Sequence, residues 1–261
     1  AGLTEAEVGY LWMDDSLGLI LDKLDSLGIA DNTIVVFVSD HGSERKGSLI
    51  KTRGTEIPCL IRWPKVIKPG SVSHGLLQNT DFVPTWFELA GAKIPEEYHM
   101  DGKSLVPMFE DPSVSVREFI YAEQGAARAI KTDTLEYLSI RYTDEQIAMA
   151  QSKRSDRAYK TLLGLSSGIS RARYFHPDIF SADQLYDLSK DPNSQKNVAK
   201  DSSYAGQLKK MKAILTRKVK ELGPRPYGDF VPGKGTSDAE ASKKVLDQLA
   251  AYHAKEGKKK K

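Results

Sequence analysis

Between Thr4 and Gly28, apolar residues recur at helical spacing: Met13, Leu17, Ile20, Leu21, Leu24 and Leu27 fall on one face. Thr4 followed three residues later by Glu7 has the form of a capping box, and Gly28 fits a C-terminal stop. The pattern predicts a helix over 4–28. Asp31-Asn32 then turns the chain into Thr33-Ile-Val-Val-Phe-Val-Ser39. An uninterrupted β-branched run of this kind is typical of a strand buried on both faces. A helix feeding such a strand is a βαβ sign, so the expected fold class is α/β, with a mostly parallel sheet flanked by helices. A second apolar strand is predicted over 57–63, with Pro58 near its start, where proline is tolerated. A short helix is predicted over 79–91, with Thr80 or Asp81 as its cap, Pro84 in its first turn and Gly91 at its end.

The texture changes after about residue 113. Short strands at 119–122, 127–131, 137–141 and 183–188, separated by turns, predict a small antiparallel sheet. The Ser-rich stretch 144–173 reads as a helix with a long loop. Tyr204, Leu208, Met211, Leu215, Val219 and Leu222 line one face of a helix over 202–222, which Gly223-Pro224 stops. A Pro- and Gly-rich segment, a weak terminal helix and a lysine tail follow. Three parts are therefore expected: residues 1–113, an antiparallel-sheet subdomain with a helix over 114–222, and a surface extension with a basic tail over 223–261.

With 261 residues, 40% hydrophobic and 28% charged, the composition is that of an ordinary globular protein. No apolar run is long enough to span a membrane. The net charge of +3 owes much to the tail Lys255-Glu-Gly-Lys-Lys-Lys-Lys261 and does not argue for a nucleic-acid partner. A single cysteine, Cys59, excludes an internal disulfide and a cysteine-rich zinc site. The chain opens on Ala1 with no signal peptide before the first helix, so a processed product or a fragment is expected.

Candidate chemistry gathers where the first strand ends, at Ser39-Asp40-His41-Gly42. Ligands of open α/β sheets bind at the carboxyl ends of strands. A carboxylate beside an imidazole suits a metal site there, while an Asp-X-Gly turn that merely closes the strand has the same sequence. The following loop, 42–55, carries Lys46, Lys51 and Arg53. It reads either as a receptor for an anion such as sulfate or phosphate or as a solvated surface loop. Asp14 and Asp15 read as a solvated helix face. His74 and His99 lack spaced partners and read as structural, and Cys59 reads as a small buried hydrophobe.

Five blocks together resemble the C-terminal half of a sulfatase, in the alkaline-phosphatase-like superfamily. They are Asp31-Asn-Thr-Ile-Val-Val-Phe-Val-Ser-Asp-His-Gly42; Lys46-Gly-Ser-Leu49 with Gly54-Thr-Glu-Ile-Pro58 and Ile61-Arg-Trp-Pro64; Thr80-Asp-Phe-Val-Pro-Thr85 with Leu89-Ala-Gly91; Asp101-Gly-Lys-Ser-Leu105; and Leu185-Tyr-Asp-Leu-Ser-Lys-Asp-Pro192 with Asn197. The loop after Asp40-His41-Gly42 is most similar to the sulfamidase-like branch. The resemblance implies one divalent cation, usually Ca2+, held partly by Asp40 and His41. It implies a sulfate contact from Lys46, the match to the lysine of the family run Lys-Gly-Thr-Leu. Ile50 and Lys51 replace the family's tyrosine and acidic residue, which makes Lys51 a rival. The family nucleophile is a formylglycine made from a Cys/Ser-x-Pro-Ser-Arg motif, and no such motif occurs in these 261 residues, so no nucleophile is assigned. The implied activity is metal-dependent hydrolysis of a sulfated small molecule or glycan, in a secreted, periplasmic or lysosomal setting. The chain is expected to be inactive without the formylglycine-bearing half. Two other readings stand beside it: a phosphodiesterase or phosphomutase of the same superfamily, and a non-catalytic module that binds an anionic glycan.

Overall fold

The computed structural model describes residues 2–42, 52–98, 100–124, 127–141 and 181–222. In chain order its elements are α1 (Glu5–Ser26), β1 (Val35–Val38), α2 (Thr52–Thr55), β2 (Cys59–Arg62), α3 (Phe82–Leu89), α4 (Val106–Glu110), β3 (Ile120–Gln124), β4 (Ala127–Lys131), β5 (Leu135–Ile140), β6 (Asp183–Asp187) and α5 (Ala205–Glu221). They fall into two compact units, one made of residues 1–39 and 58–116, the other of 40–57 and 117–261. The predicted elements at 144–173 and over 223–261 lie outside the described residues.

In the first unit, α1 starts with the predicted capping box. The Thr4 N–H donates to Glu7 Oε2 at 2.7 Å and the Glu7 N–H donates back to Thr4 Oγ1 at 3.3 Å. Gly28 and Gly91, after α1 and α3, take positive φ, as a left-handed helix exit requires. β1 and β2 pair antiparallel, with Val35 opposite Arg62 and Val38 opposite Cys59. This corrects the expected parallel arrangement for the described strands. The helix signal precedes β1, whereas a parallel neighbour needs a helical crossover after it; the chain instead reverses between β1 and β2. The strand also differs from the expected fully buried one: Val35, Val36 and Phe37 are half-buried and Val38 is exposed. Successive side chains of β2 point to opposite faces. Arg62 reaches Asp25 of α1 at 3.1 Å, while Ile61 joins the apolar cluster of Leu105, Met108 and Phe109 with Trp63, Leu77, Phe82 and Leu89. The sheet thus lies between α1 and the α3–α4 layer.

One buried carboxylate fastens that layer. Asp81 sits at the start of α3, as predicted, but its side chain does not cap the helix. It accepts the N–H of Gln78 at 2.6 Å and that of Lys103 at 2.8 Å. Thr85, also fully buried, donates to the Asp81 carbonyl at 2.6 Å and accepts the Leu105 N–H at 2.9 Å. Gly102 lets the two segments approach, since a Cβ there would stand 2.0 Å from the Thr80 carbonyl oxygen. Gly102→Ala is therefore expected to destabilise the chain by about 2–3 kcal/mol, the range of core overpacking, read as a lowered urea midpoint. An unchanged midpoint would mean that the close approach is not needed.

The second unit holds an antiparallel sheet in the order β3-β4-β5-β6, as the strand spacing predicted. Ile130, Tyr137 and Leu185 on one face pack with Val198 and with Met211 and Leu215 of α5. Asp183 binds three donors on this face: the Tyr137 hydroxyl at 2.7 Å, Arg141 Nη2 at 3.0 Å and Lys212 Nζ at 2.6 Å. Asn197 closes the turn after β6, accepting the N–H groups of Leu185 and Ala199, each at 3.0 Å. Asp187 gathers the Ser189 hydroxyl, the Tyr204 hydroxyl and the Lys190 ammonium, which hold its carboxyl well below the usual range.

Burial pushes the Asp183 carboxyl up, but the bonds from Lys212, Tyr137 and Arg141 outweigh it and hold it below its ordinary value. Its contribution to stability is then complete above the ordinary carboxylate pKa of about 3.9 and is lost as pH falls through the lower folded value. Asp183→Asn strands the buried Arg141 guanidinium and is expected to cost about 3 kcal/mol at neutral pH. In urea unfolding, the gap between the two proteins should narrow below about pH 4. A gap that stays constant with pH would refute this charge assignment.

Candidate functional site

β1 ends at Val38; Ser39 closes that segment of the first unit, and Asp40 and His41 belong to the second. Gly42 is buried, and its N–H donates to the Gly54 carbonyl at 3.0 Å, so the two ends of the basic loop are tied backbone to backbone. The outgoing leg, after α2, is fastened by Glu56, whose carboxylate meets Lys131 of β4 at 3.1 Å.

His41 is held in one orientation. Its Nδ1 lies 2.8 Å from the Gly42 carbonyl, which can only accept, so Nδ1 carries the proton. The other ring nitrogen, Nε2, lies 3.6 Å from Asp40 Oδ1 and in the neutral ring carries the lone pair. An imidazole whose second nitrogen donates to a backbone carbonyl is the usual arrangement of a metal-ligating histidine. Two adjacent ligand atoms, each about 2.4 Å from a Ca2+ ion, lie roughly 3.4 Å apart at a right angle, so the observed spacing suits a shared cation. The Asp40 side chain is 76% exposed and that of His41 30%. Such exposure means that folding gains little from the Asp40 charge.

As a cation site the pair alone would be incomplete. Calcium takes six to eight oxygen ligands, and among the described residues no group of three or more His, Cys, Asp or Glu side chains could hold a metal. The donor chemistry fits a hard cation through Asp40, with His41 the less typical ligand. Lys46 and Lys51 lie outside the described residues, as does His99. Asp14 and Asp15 are exposed on α1, as expected of a solvated face, and His74 is exposed. Cys59 is half-buried on β2, and that burial pushes its thiol up, away from the reactive thiolate.

The Lys131–Glu56 tether has no sequence signal, because its members stand 75 positions apart. Other matched blocks prove architectural. Asp81 and Gly102 lock the α3–α4 layer, and Asp187 with Asn197 shapes the turn after β6.

The family model for sulfatases matches residues 9–92. An ulvan-active sulfatase of Formosa agariphila is 32% identical over 206 residues, covering 77% of this chain and 38% of that protein. An N-acetylglucosamine-6-O-sulfatase of Bacteroides thetaiotaomicron is 27% identical over 81% of this chain and 34% of its own length. A solved structure with its substrate D-glucosamine-2-N,6-O-disulfate superposes with a TM-score of 0.61 at 24% identity, covering 81% of this chain and 39% of that one. The fold is therefore α/β of the alkaline-phosphatase-like type. The chain belongs to the sulfatase family and spans well under half the length of these relatives.

Asp40→Asn is expected to leave the urea midpoint within about 0.5 kcal/mol of the parent, as for an exposed side chain without a structural task. His41→Ala, which removes the bond to the Gly42 carbonyl, should cost about 1 kcal/mol. A loss above about 2 kcal/mol for Asp40→Asn would recast that residue as part of a structural turn.

Proposed function

We propose that this chain contributes the Asp40–His41 metal ligands and a sulfate-binding lysine to a sulfuric ester hydrolase. The observation that carries the reading is the Asp40–His41 pair: an exposed carboxylate with an imidazole nitrogen, Nε2, 3.6 Å from its Oδ1. Asp40 and His41 would hold part of the coordination of one divalent cation, with calcium favoured by the carboxylate. The cation, when bound, supplies charge neutralisation at the sulfate group. The Gly42–Gly54 bond and the Glu56–Lys131 pair fix the ends of the basic loop. Lys46 is assigned the contact with a sulfate oxygen, where its charge offsets the negative charge that grows as the ester bond breaks. Lys51 is the second candidate for that contact.

The nucleophile is assigned to sequence beyond these 261 residues, because no Cys/Ser-x-Pro-Ser-Arg motif occurs among them. A sulfated sugar is the favoured substrate class. The relative named for N-acetylglucosamine-6-O-sulfate and the structure holding a glucosamine disulfate each align with about four-fifths of this chain, whereas human steryl-sulfatase aligns with 42% of it.

The test is an aryl-sulfate and sulfated-glucosamine assay with Ca2+, on the chain alone and joined to the nucleophile-bearing part of a relative. The joined protein should release sulfate and lose at least about 100-fold in kcat/KM on Asp40→Ala or Lys46→Ala, the scale of removing one stabilising group at a developing charge. The isolated chain should show no turnover. Turnover by the isolated chain, abolished by Asp40→Ala, would overturn the assignment of the nucleophile. An inactive joined protein that is folded and carries the formylglycine would overturn the hydrolase reading.

A further inference from the structure

α5 presents two faces of different chemistry. Met211 and Leu215 are buried with Ile130 and Tyr137 of the sheet, and Leu208, Ile214 and Val219 pack half-buried beside them. The opposite face turns to solvent and carries Lys209, Lys210, Arg217 and Lys220, all exposed. At 3.6 residues per turn these four fall within an arc of about 100°, and at 1.5 Å per residue they span about 16 Å of the axis. Six of the chain's 38 basic residues and one of its 35 acidic ones lie on α5, so acids outnumber bases over the rest of the chain. That one acid, Glu221, stands 3.9 Å from Arg217 Nε. Among the described residues, Lys209, Lys210 and Lys220 have no ion-pair partner. This charge does little for the helix. A solvated face built for stability spaces acids and bases four residues apart and places acids in the first turn. α5 has no acid in its first turn, and Arg217 and Lys220 stand three residues apart, where like charges repel. Only Lys218 and Lys220, in the last turn, gain from the carbonyl end of the helix.

We propose that the Lys209–Lys210–Arg217–Lys220 face of α5 is a docking track for a sulfated polysaccharide, the polymer from which the proposed hydrolase releases sulfate. The inference deepens the function proposed above and rests on it for the class of anion. A linear sulfated chain repeats its charges along its length, so a row of cations along one helix meets several at once. Lysine suits such a partner, being a point charge on a flexible stem that demands no fixed geometry. The rest of the face argues against other polyanions. Its exposed positions between the cations are Ala213 and Thr216, so no large apolar side chain is offered to a bilayer. No aromatic ring stands among them on which the base of a single-stranded nucleic acid could stack. The attraction is electrostatic and reaches about 10 Å at 0.1 M salt, so the track holds a polymer without fixing its register. It therefore acts on the capture of long substrates and leaves the chemistry on short ones unchanged.

The experiment titrates the full 261-residue chain into fluorescein-labelled dextran sulfate and follows anisotropy at several salt concentrations. The chain should bind, with an affinity that falls steeply as salt rises, by the counterion release that governs polyanions. Lys209→Gln, Lys210→Gln, Arg217→Gln and Lys220→Gln combined should weaken binding at least about tenfold and flatten the salt slope. The urea midpoint of that variant should stay unchanged, since all four side chains are exposed. Changing Lys258, Lys259, Lys260 and Lys261 to Gln removes the same charge from the tail and should weaken binding less than about threefold. Three results would overturn the proposal: no binding of dextran sulfate; equal losses from the two fourfold variants; or duplex DNA or phosphatidylserine vesicles bound as tightly as dextran sulfate. Binding that depends on α5, in a joined protein that releases no sulfate, would uphold the track and count against the hydrolase reading alone. Sulfate release with binding indifferent to the α5 substitutions would do the reverse, so the two failures are distinguishable.

Discussion

A carboxylate withdrawn from water has to be met by donors, and in this chain two such groups hold the fold together. Asp81 is fully buried in the first unit and is met by the Gln78 and Lys103 backbone N–H groups. Asp183 in the second unit is met by a tyrosine of β5, the arginine that follows that strand and a lysine of α5. In each case the donors come from segments far apart in sequence, so one carboxylate fixes several elements at once. Removing such a group costs more than its bonds are worth, because the donors remain buried without an acceptor. Thr85 and Gly102 are consequences of the first arrangement, one completing the bonds and the other making room for them.

Asp40 differs from both. It is largely exposed, and its neighbour His41 has Nδ1 2.8 Å from the adjacent Gly42 carbonyl. Two electron-pair donors held 3.6 Å apart, with one carboxylate in solvent, gain nothing for folding by being placed together. On the proposed reading a cation is shared between them. The contrast among three aspartates of one chain is sharper than the residue type alone: the fold supplies donors to Asp81 and Asp183, whereas Asp40 is exposed, and on the proposed reading its charge serves the cation.

Much of this was legible in sequence wherever the signal was local. The capping box of α1, the glycine exits of α1 and α3, the strand spacing from 119 to 188 and the apolar face of α5 all rest on residues within a few positions of each other. The Asp40–His41 pair was legible for the same reason, as two neighbours at the end of an apolar run. The direction of β2 was not, because a strand's own sequence says nothing about which way its partner runs. The Asp81–Lys103 and Glu56–Lys131 links were not legible either, since they join positions 22 and 75 residues apart.

On the proposed reading, the Asp40–His41 pair also fixes what to expect of the cation. Two donors cannot satisfy a cation that takes six or more oxygens, so affinity for the pair alone would be weak. A cation bound better by a complete ligand set than by the pair would favour whatever arrangement brings that set together, in proportion to the difference in affinity. By linkage the effect is reciprocal, and completing the set would raise the affinity for the cation by the same factor. A weak site at the pair is therefore compatible with a strong site in a complete enzyme.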